Sequence, residues 1–186
     1  IARASAELPL LALREPRLGK NRALNTALGS IGDELVVLTD DDVRPEADWV
    51  RTMHSAALRW PGASIFGGTV IPVYPDDAPD WLRTHHFARA AFAWFEQRME
   101  EGPLPAGVLP FGPNFAVRGA LLRSARFSEA LGPRGDDYAM GGETQLLQRL
   151  RGAGCAIVYV PASVVHHVVQ PFQLTPRWLA RRAYRH

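Results

Sequence analysis

Short apolar runs alternate along this chain with amphipathic stretches of helical period. Residues 8–13, 34–39, 64–73, 156–160 and 163–169 are rich in Leu, Val and Ile and are bounded by Gly, Pro or Asp, the pattern of strands. Between them, Gly19-Lys20-Asn21-Arg22-Ala23-Leu24-Asn25 opens a helix running to residue 28, with Gly29 as its stop. A second helix is predicted over 46–59, ended by Pro61-Gly62, and a third over 143–151, with Leu146, Leu147 and Leu150 on one face. Residues 74–110 are rich in Pro, Trp and Phe and poorly periodic; one helix, over 83–97, is predicted there. Phe111-Gly112-Pro113-Asn114 reads as a turn into a short strand ending at Arg118, and 136–142 reads as a loop. Strands alternating with helices of this length specify an α/β fold with a mixed, mostly parallel sheet flanked by helices.

The 186 residues suit one ordinary domain, large enough to bury roughly 70% of its unfolded surface. A chain 47% hydrophobic and 22% charged is neither disordered nor fibrous. Its 21 basic and 19 acidic residues leave a net charge of +2, which gives no electrostatic case for nucleic acid. The single cysteine, Cys155, opens an apolar run and is expected to be buried; alone, it excludes a disulfide framework and a cysteine zinc site. No apolar stretch approaches the roughly 20 residues of a membrane span and no signal peptide is visible, so a cytoplasmic setting is the expectation. Both ends read as cut: Ile1 stands where an initiator methionine would, and the helical pattern from Arg177 breaks off at His186. The expectation is a single catalytic domain over 1–186, truncated at both ends. The basic face of that last segment would suit peripheral contact with an anionic membrane or a helix packed back on the domain.

The chemistry concentrates at Thr39-Asp40-Asp41-Asp42-Val43, directly after the apolar run Leu35-Val36-Val37-Leu38. Ligands of open α/β sheets bind at the carboxyl ends of such strands. Three adjacent aspartates repel one another unless something positive neutralises them. A hard divalent cation with oxygen ligands, Mg²⁺ or Mn²⁺, does so, and its usual companion is a phosphate; a solvated acidic turn ahead of a helix is the structural alternative. Lys20, Arg22 and Asn25 near a helix start favour an anion such as a diphosphate. Glu143 follows Gly141-Gly142 at a helix entrance, where it stabilises the helix dipole or serves as a general base. His166-His167 could offer an imidazole to a metal, but neighbours on a strand point to opposite faces, so one of them at most serves a given site. Gly67-Gly68 permits close backbone approach. Trp81, Phe92, Trp94 and Phe95 would form either a stacking platform for a sugar ring or packing under a long connection.

In this order the pieces resemble the inverting family 2 glycosyltransferases of the GT-A fold. The matching landmarks are Gly19-Lys20 with Ala23-Leu24-Asn25, the aspartate motif, Phe66-Gly67-Gly68, Gly112-Pro113-Asn114-Phe115-Ala116-Val117-Arg118, Gly142-Glu143-Thr144-Gln145-Leu146-Leu147-Gln148-Arg149-Leu150, and Val165-His166-His167. The resemblance implies transfer of a sugar from a nucleotide-diphosphate donor, often UDP-linked, to a hydroxyl acceptor that is a carbohydrate, a lipid-linked molecule or a small molecule. It implies Asp42, with Asp40, as ligands of the divalent cation, and Asp40 and Asp41 facing the ribose and nucleotide. It further implies Glu143 as catalytic base, His166 or His167 beside the metal or diphosphate, Lys20 on the donor, and Asn114 lining the sugar or acceptor pocket, with Arg22, Asn25 and Gly68 on the donor side. Two departures stand out. Gly142-Glu143 replaces the family's more frequent Glu-Asp pair, and the strand and turn that precede these landmarks in the family, and help hold the nucleotide base, are missing before Ile1. The alternatives are a non-catalytic nucleotide-sugar or glycan-binding module and, from another class, a sugar nucleotidyltransferase; the second usually displays a Gly-rich phosphate loop, which is not visible here.

Overall fold

Period-two alternation assigns each strand face to its own core. A computed structural model describes residues 9–134, 137–139 and 141–184. Strands β1 (Leu35–Leu38), β5 (Phe115–Arg118), β3 (Ile65–Val73), β8 (Ile157–Val168) and β2 (Val43–Pro45) lie side by side in that order, and β4 (Gly102–Pro103) also pairs with β8. The longest ladder, β3 with β8, is parallel and runs from Ile65 opposite Ile157 to Val73 opposite Val168; the other ladders are antiparallel. The result is a mixed sheet flanked by helices, the α/β architecture expected, although among the described residues only the β3–β8 ladder is parallel where mostly parallel pairing was expected. Strands β6 (Gly132–Arg134) and β7 (Asp137–Ala139) form a separate antiparallel pair, β7 lying within the loop expected over 136–142.

Helix α2 (Trp49–Arg59) covers one face of the sheet. Its Met53, Ala56 and Ala57 pack with Phe66, Ala116, Val158 and Val160, the inward positions of β3, β5 and β8 on that side. The intervening positions, Ile65, Phe115, Val117, Ile157 and Tyr159, face the main core with Leu146, Leu147 and Leu150 of α5 (Gly142–Gly152). Burying a side chain such as Phe66 or Met53, both at 0% exposure, contributes roughly 1.5–3 kcal/mol. A third cluster, around Phe92, Leu82 and Val169, seats α6 (Pro176–Tyr184) through Trp178 and Leu179. The basic C-terminal segment therefore packs back on the domain. Among the described residues, no helix is long and apolar enough to cross a membrane.

Arg118 closes α2. Its Nε donates to Ala63 O (2.8 Å) and its Nη2 to Ala57 O (2.9 Å) and Trp60 O (3.2 Å), collecting carbonyls at the helix C-terminus. Its guanidinium also lies over the Phe66 ring, 5.7 Å from the centroid.

Several elements differ from expectation for local reasons. Residues 9–13 form no strand; Leu10, Leu11 and Leu13 are exposed and have no strand partner there, while residue 8 lies outside the described residues. The helix over 83–97 shrinks to α3 (His86–Ala91), preceded by a 3₁₀ turn over Asp80–Arg83. Ala93 then adopts a left-handed conformation (φ 55°), and Phe95 exchanges backbone hydrogen bonds with Val70 at 2.8 and 2.9 Å. The runs 156–160 and 163–169 join into one strand, β8, whose register against β3 shifts between Gly68 and Thr69. Residues 43–45 become strand β2 rather than a helix lead-in, and α4 (Gly119–Ser124) follows β5 directly. Cys155 sits just before β8 and is only partly buried.

Candidate active site

The aspartates leave the end of β1 and line a cavity of about 1080 Å³. Lys20 enters it from the first turn of α1 (Lys20–Ala27), Glu143 from the first turn of α5, and His167 from β8. Lys20 is the junction. Its Nζ stands 2.5 Å from Asp40 Oδ1 and 2.7 Å from Glu143 Oε1, so one ammonium ties the aspartate motif to the proposed base. Burial alone would depress Lys20, but the Glu143 and Asp40 carboxylates outweigh it and hold the ammonium above its ordinary value.

Glu143 owes its position to two close contacts. Gly142, just before it, lies on Asn21, where a Cβ would come within 2.4 Å of Asn21 Nδ2. Asn21 is 1% exposed and donates to Ser128 O (2.7 Å) and Leu131 O (3.0 Å). On the other side, a Cβ on Gly112 would touch the Glu143 carboxyl at 3.4 Å. Sequence reasoning missed Asn21, because an Asn in a helix's first turn looks like an ordinary solvated residue. The Gly-Glu pair provides the only legible signal, since a side chain at 142 would not fit.

Strand alternation sends the two histidines apart, as expected. His167 joins the site: its Nδ1 donates to Phe92 O (2.8 Å) and its Nε2 faces Asp42 Oδ2 (3.2 Å). Burial disfavours its charged form, yet the hydrogen bonds to Asp42 and Phe92 raise it above the ordinary histidine value. Asp42 is correspondingly lowered, first by the His167 hydrogen bond, against burial. His166 lies on the opposite face, paired with Glu46 at 2.6 Å, and does not line the cavity.

The cation implied by the motif can be tested on Asp42. Its Oδ1 is buried without a hydrogen-bond partner, an acceptor of the kind a hard cation satisfies. With Nδ1–H pinned to a carbonyl, His167 presents Nε2 toward the same carboxylate, the arrangement that orients imidazole ligands. Among the described residues no three acidic, imidazole or thiol groups gather as a closed metal site. The residues fit a cation held on one side by protein, with positions left for phosphate oxygens and water.

Other motif residues serve the frame. Asn114, 0% exposed, donates from Nδ2 to Thr69 O (2.9 Å) and Ser163 O (2.8 Å) and accepts from Trp49 Nε1 at 2.8 Å. Gly68 makes room for it, since a Cβ there would stand 2.3 Å from Asn114 Nδ2. Neither residue lines the cavity. Arg22 pairs with Glu129 (3.1 Å), and Asn25 clasps the Phe127 backbone through donor and acceptor at 3.0 and 2.9 Å, so both tie α1 to the 127–129 segment rather than to the cavity. Of the two readings left open for these aromatics, packing holds for Phe92 and Phe95, which are buried in the cores, and neither Trp81 nor Trp94 lines the cavity. The aromatic lining comes instead from Phe111, Phe172 and Trp178, and α6 adds Arg181 and Arg182.

No protein-family model matches the chain. It is 27% identical over 183 residues to the succinoglycan biosynthesis protein ExoM of Rhizobium meliloti (strain 1021), covering 96% of this chain and 55% of that protein. It is 26% identical over 175 residues to a glucosyl-dolichyl phosphate glucuronosyltransferase of Haloferax volcanii, covering 88% of this chain and 51% of that one. The chain thus spans about half the length of the curated relatives it matches. Among solved structures it is similar to glucosyl-3-phosphoglycerate synthase from Mycobacterium tuberculosis in complex with Mn²⁺, uridine diphosphate and phosphoglyceric acid, at 20% identity and a TM-score of 0.47, covering 95% of this chain and 54% of that one. The same enzyme in complex with phosphoglyceric acid matches at 22% identity and a TM-score of 0.44, covering 96% and 57%.

Proposed function

We propose that this chain, a relative of the family 2 glycosyltransferases, carries the site of an inverting transferase that moves a sugar from a nucleotide-diphosphate donor, UDP-linked, to a hydroxyl acceptor. The observation that carries the reading is the Lys20 bridge, which brings a donor-side aspartate and a carboxylate base to one ammonium inside one cavity. A divalent cation, Mn²⁺ or Mg²⁺, held by Asp42 with Asp40 and His167 nearby, would neutralise charge on the departing diphosphate.

Glu143 is the base. Its carboxylate takes the proton of the acceptor hydroxyl as that oxygen bonds to the anomeric carbon, while the carbon–oxygen bond to the diphosphate breaks on the opposite face. The configuration at that carbon inverts. Lys20 keeps Glu143 aimed through their ion pair, and its ammonium also lies beside Asp40, on the donor side. Thr144, Gln145 and Gln148, on the same helix as the base, offer hydroxyl and amide groups suited to a carbohydrate acceptor. The same chemistry fits a free or lipid-linked glycan. Contact with an anionic membrane, if the acceptor lies there, would fall to the outward groups of α6 such as Arg177, because its apolar face is already packed.

Titration calorimetry of UDP with and without Mn²⁺ tests the reading. Binding that depends on Mn²⁺ and is lost in Asp42→Asn is expected; equally negligible binding in both conditions would leave a non-catalytic module as the better description. The anomeric configuration of the product, read by NMR, tests inversion.

A further inference from the structure

Asp40, Asp41, Asp42 and Glu143 face the cavity with a single lysine among them. Even with one divalent cation seated, four carboxylates leave that wall negative, and a diphosphate approaching it meets like charge. Helix α6 supplies the compensation: it brings Arg181 and Arg182 to the same cavity, and the surroundings of Arg182 fix where the helix stands. The Arg182 guanidinium lies over the Trp178 ring at 5.6 Å, and Trp178 stacks on Phe92 with centroids 5.5 Å apart and planes 9° from parallel. Phe92 in turn holds His167 through its carbonyl. A packed relay therefore runs from the histidine beside Asp42 to Arg182, which locates α6 next to the cation side of the cavity. Guanidinium forks bind phosphate oxygens in pairs, which a point-charge ammonium cannot do.

We propose that Arg181 and Arg182 form the diphosphate-gripping wall of this site, holding the donor's phosphates from the α6 side of the cavity. The inference rests on the sugar-transfer reading above. Its test is titration of the full chain, in Mn²⁺, with UDP and with inorganic pyrophosphate. Arg181→Gln/Arg182→Gln is expected to weaken both ligands about tenfold or more, as loss of charge-assisted hydrogen bonds does. Arg181→Lys/Arg182→Lys should fall between, keeping the charge and losing the fork. Wild type binding UDP while the double Gln variant binds both ligands as wild type does would overturn the wall and leave the transfer reading standing. Loss confined to UDP, with pyrophosphate unaffected, also overturns it, because the grip would then be on the nucleoside. Wild type binding neither ligand overturns both. If the double variant does not fold, Arg181→Gln alone, at an exposed position, is decisive: a severalfold loss on both ligands supports the wall and unchanged affinity removes it.

Discussion

Two polar clusters meet near the same strand ends and differ in one respect. Around Asn114 every hydrogen-bonding capacity is matched: two carbonyls accept its amide, an indole N–H donates to its oxygen, and Gly68 gives it space. Around Lys20 the carboxylates exceed the cations, and Asp42 keeps a buried oxygen without a partner. A polar group that is fully matched inside a protein is already committed to the frame. One that is left in excess, beside a cavity, is available to a ligand. Both clusters contain motif residues, and only their hydrogen bonds tell them apart.

The contrast can be broken where it is strongest. Glu143→Gln should lower turnover by about 10²–10⁴-fold, the range of a lost general base, while UDP binding stays near wild type; steady-state kinetics beside calorimetry checks it, and normal turnover would remove Glu143 from the reaction. Asn114→Ala should do the reverse. It leaves the Trp49 N–H and two buried carbonyls unmatched, each costing roughly 1–3 kcal/mol, so a loss of about 3 kcal/mol in urea unfolding is expected, with UDP affinity preserved in the folded fraction.

A smaller effect separates the clusters by pH. In the metal-free chain His167 is raised above the ordinary 6.5, so its contribution is complete below pH 6.5 and fades as pH rises through the raised value. Asp42 is lowered below 3.8, so its contribution is complete above pH 3.8 and fades as pH falls through the lowered value. The pair therefore stabilises most between these limits. The gap in melting temperature between wild type and His167→Gln should be widest near pH 5–6 and narrow toward pH 8.5, and no such trend should separate wild type from Asn114→Ala. Smallest of all is Arg22→Ala. Its pair with Glu129 is partly exposed, so less than about 1 kcal/mol should be lost and UDP affinity should not change; a donor defect there would extend the ligand-facing cluster to a residue the structure places outside it.

What was legible followed from local rules. An apolar run ending in Asp40-Asp41-Asp42 marked the strand end, and alternation limited the two histidines to one candidate per face, though not which one. What was not legible depends on remote partners. Asn114 acquires its role from Thr69, Ser163 and Trp49, none of them near it in sequence. The helix over 83–97 ends early because Phe95 pairs with Val70, a contact no periodicity encodes. The basic pattern of α6 suits a membrane contact or a helix packed back on the domain, until Trp178 and Leu179 are seen packed inward.

Arg118 has a consequence for how the molecule comes apart. The last carbonyls of α2 are collected by a side chain nearly sixty residues downstream, on a strand from the middle of the sheet. Helix ends ordinarily fray, and their amides exchange with solvent through small local openings. Here the final turn of α2 cannot loosen without releasing Arg118. Its amides are expected to exchange only when β5 itself lets go, so the helix end and the sheet centre should report one shared opening in hydrogen exchange.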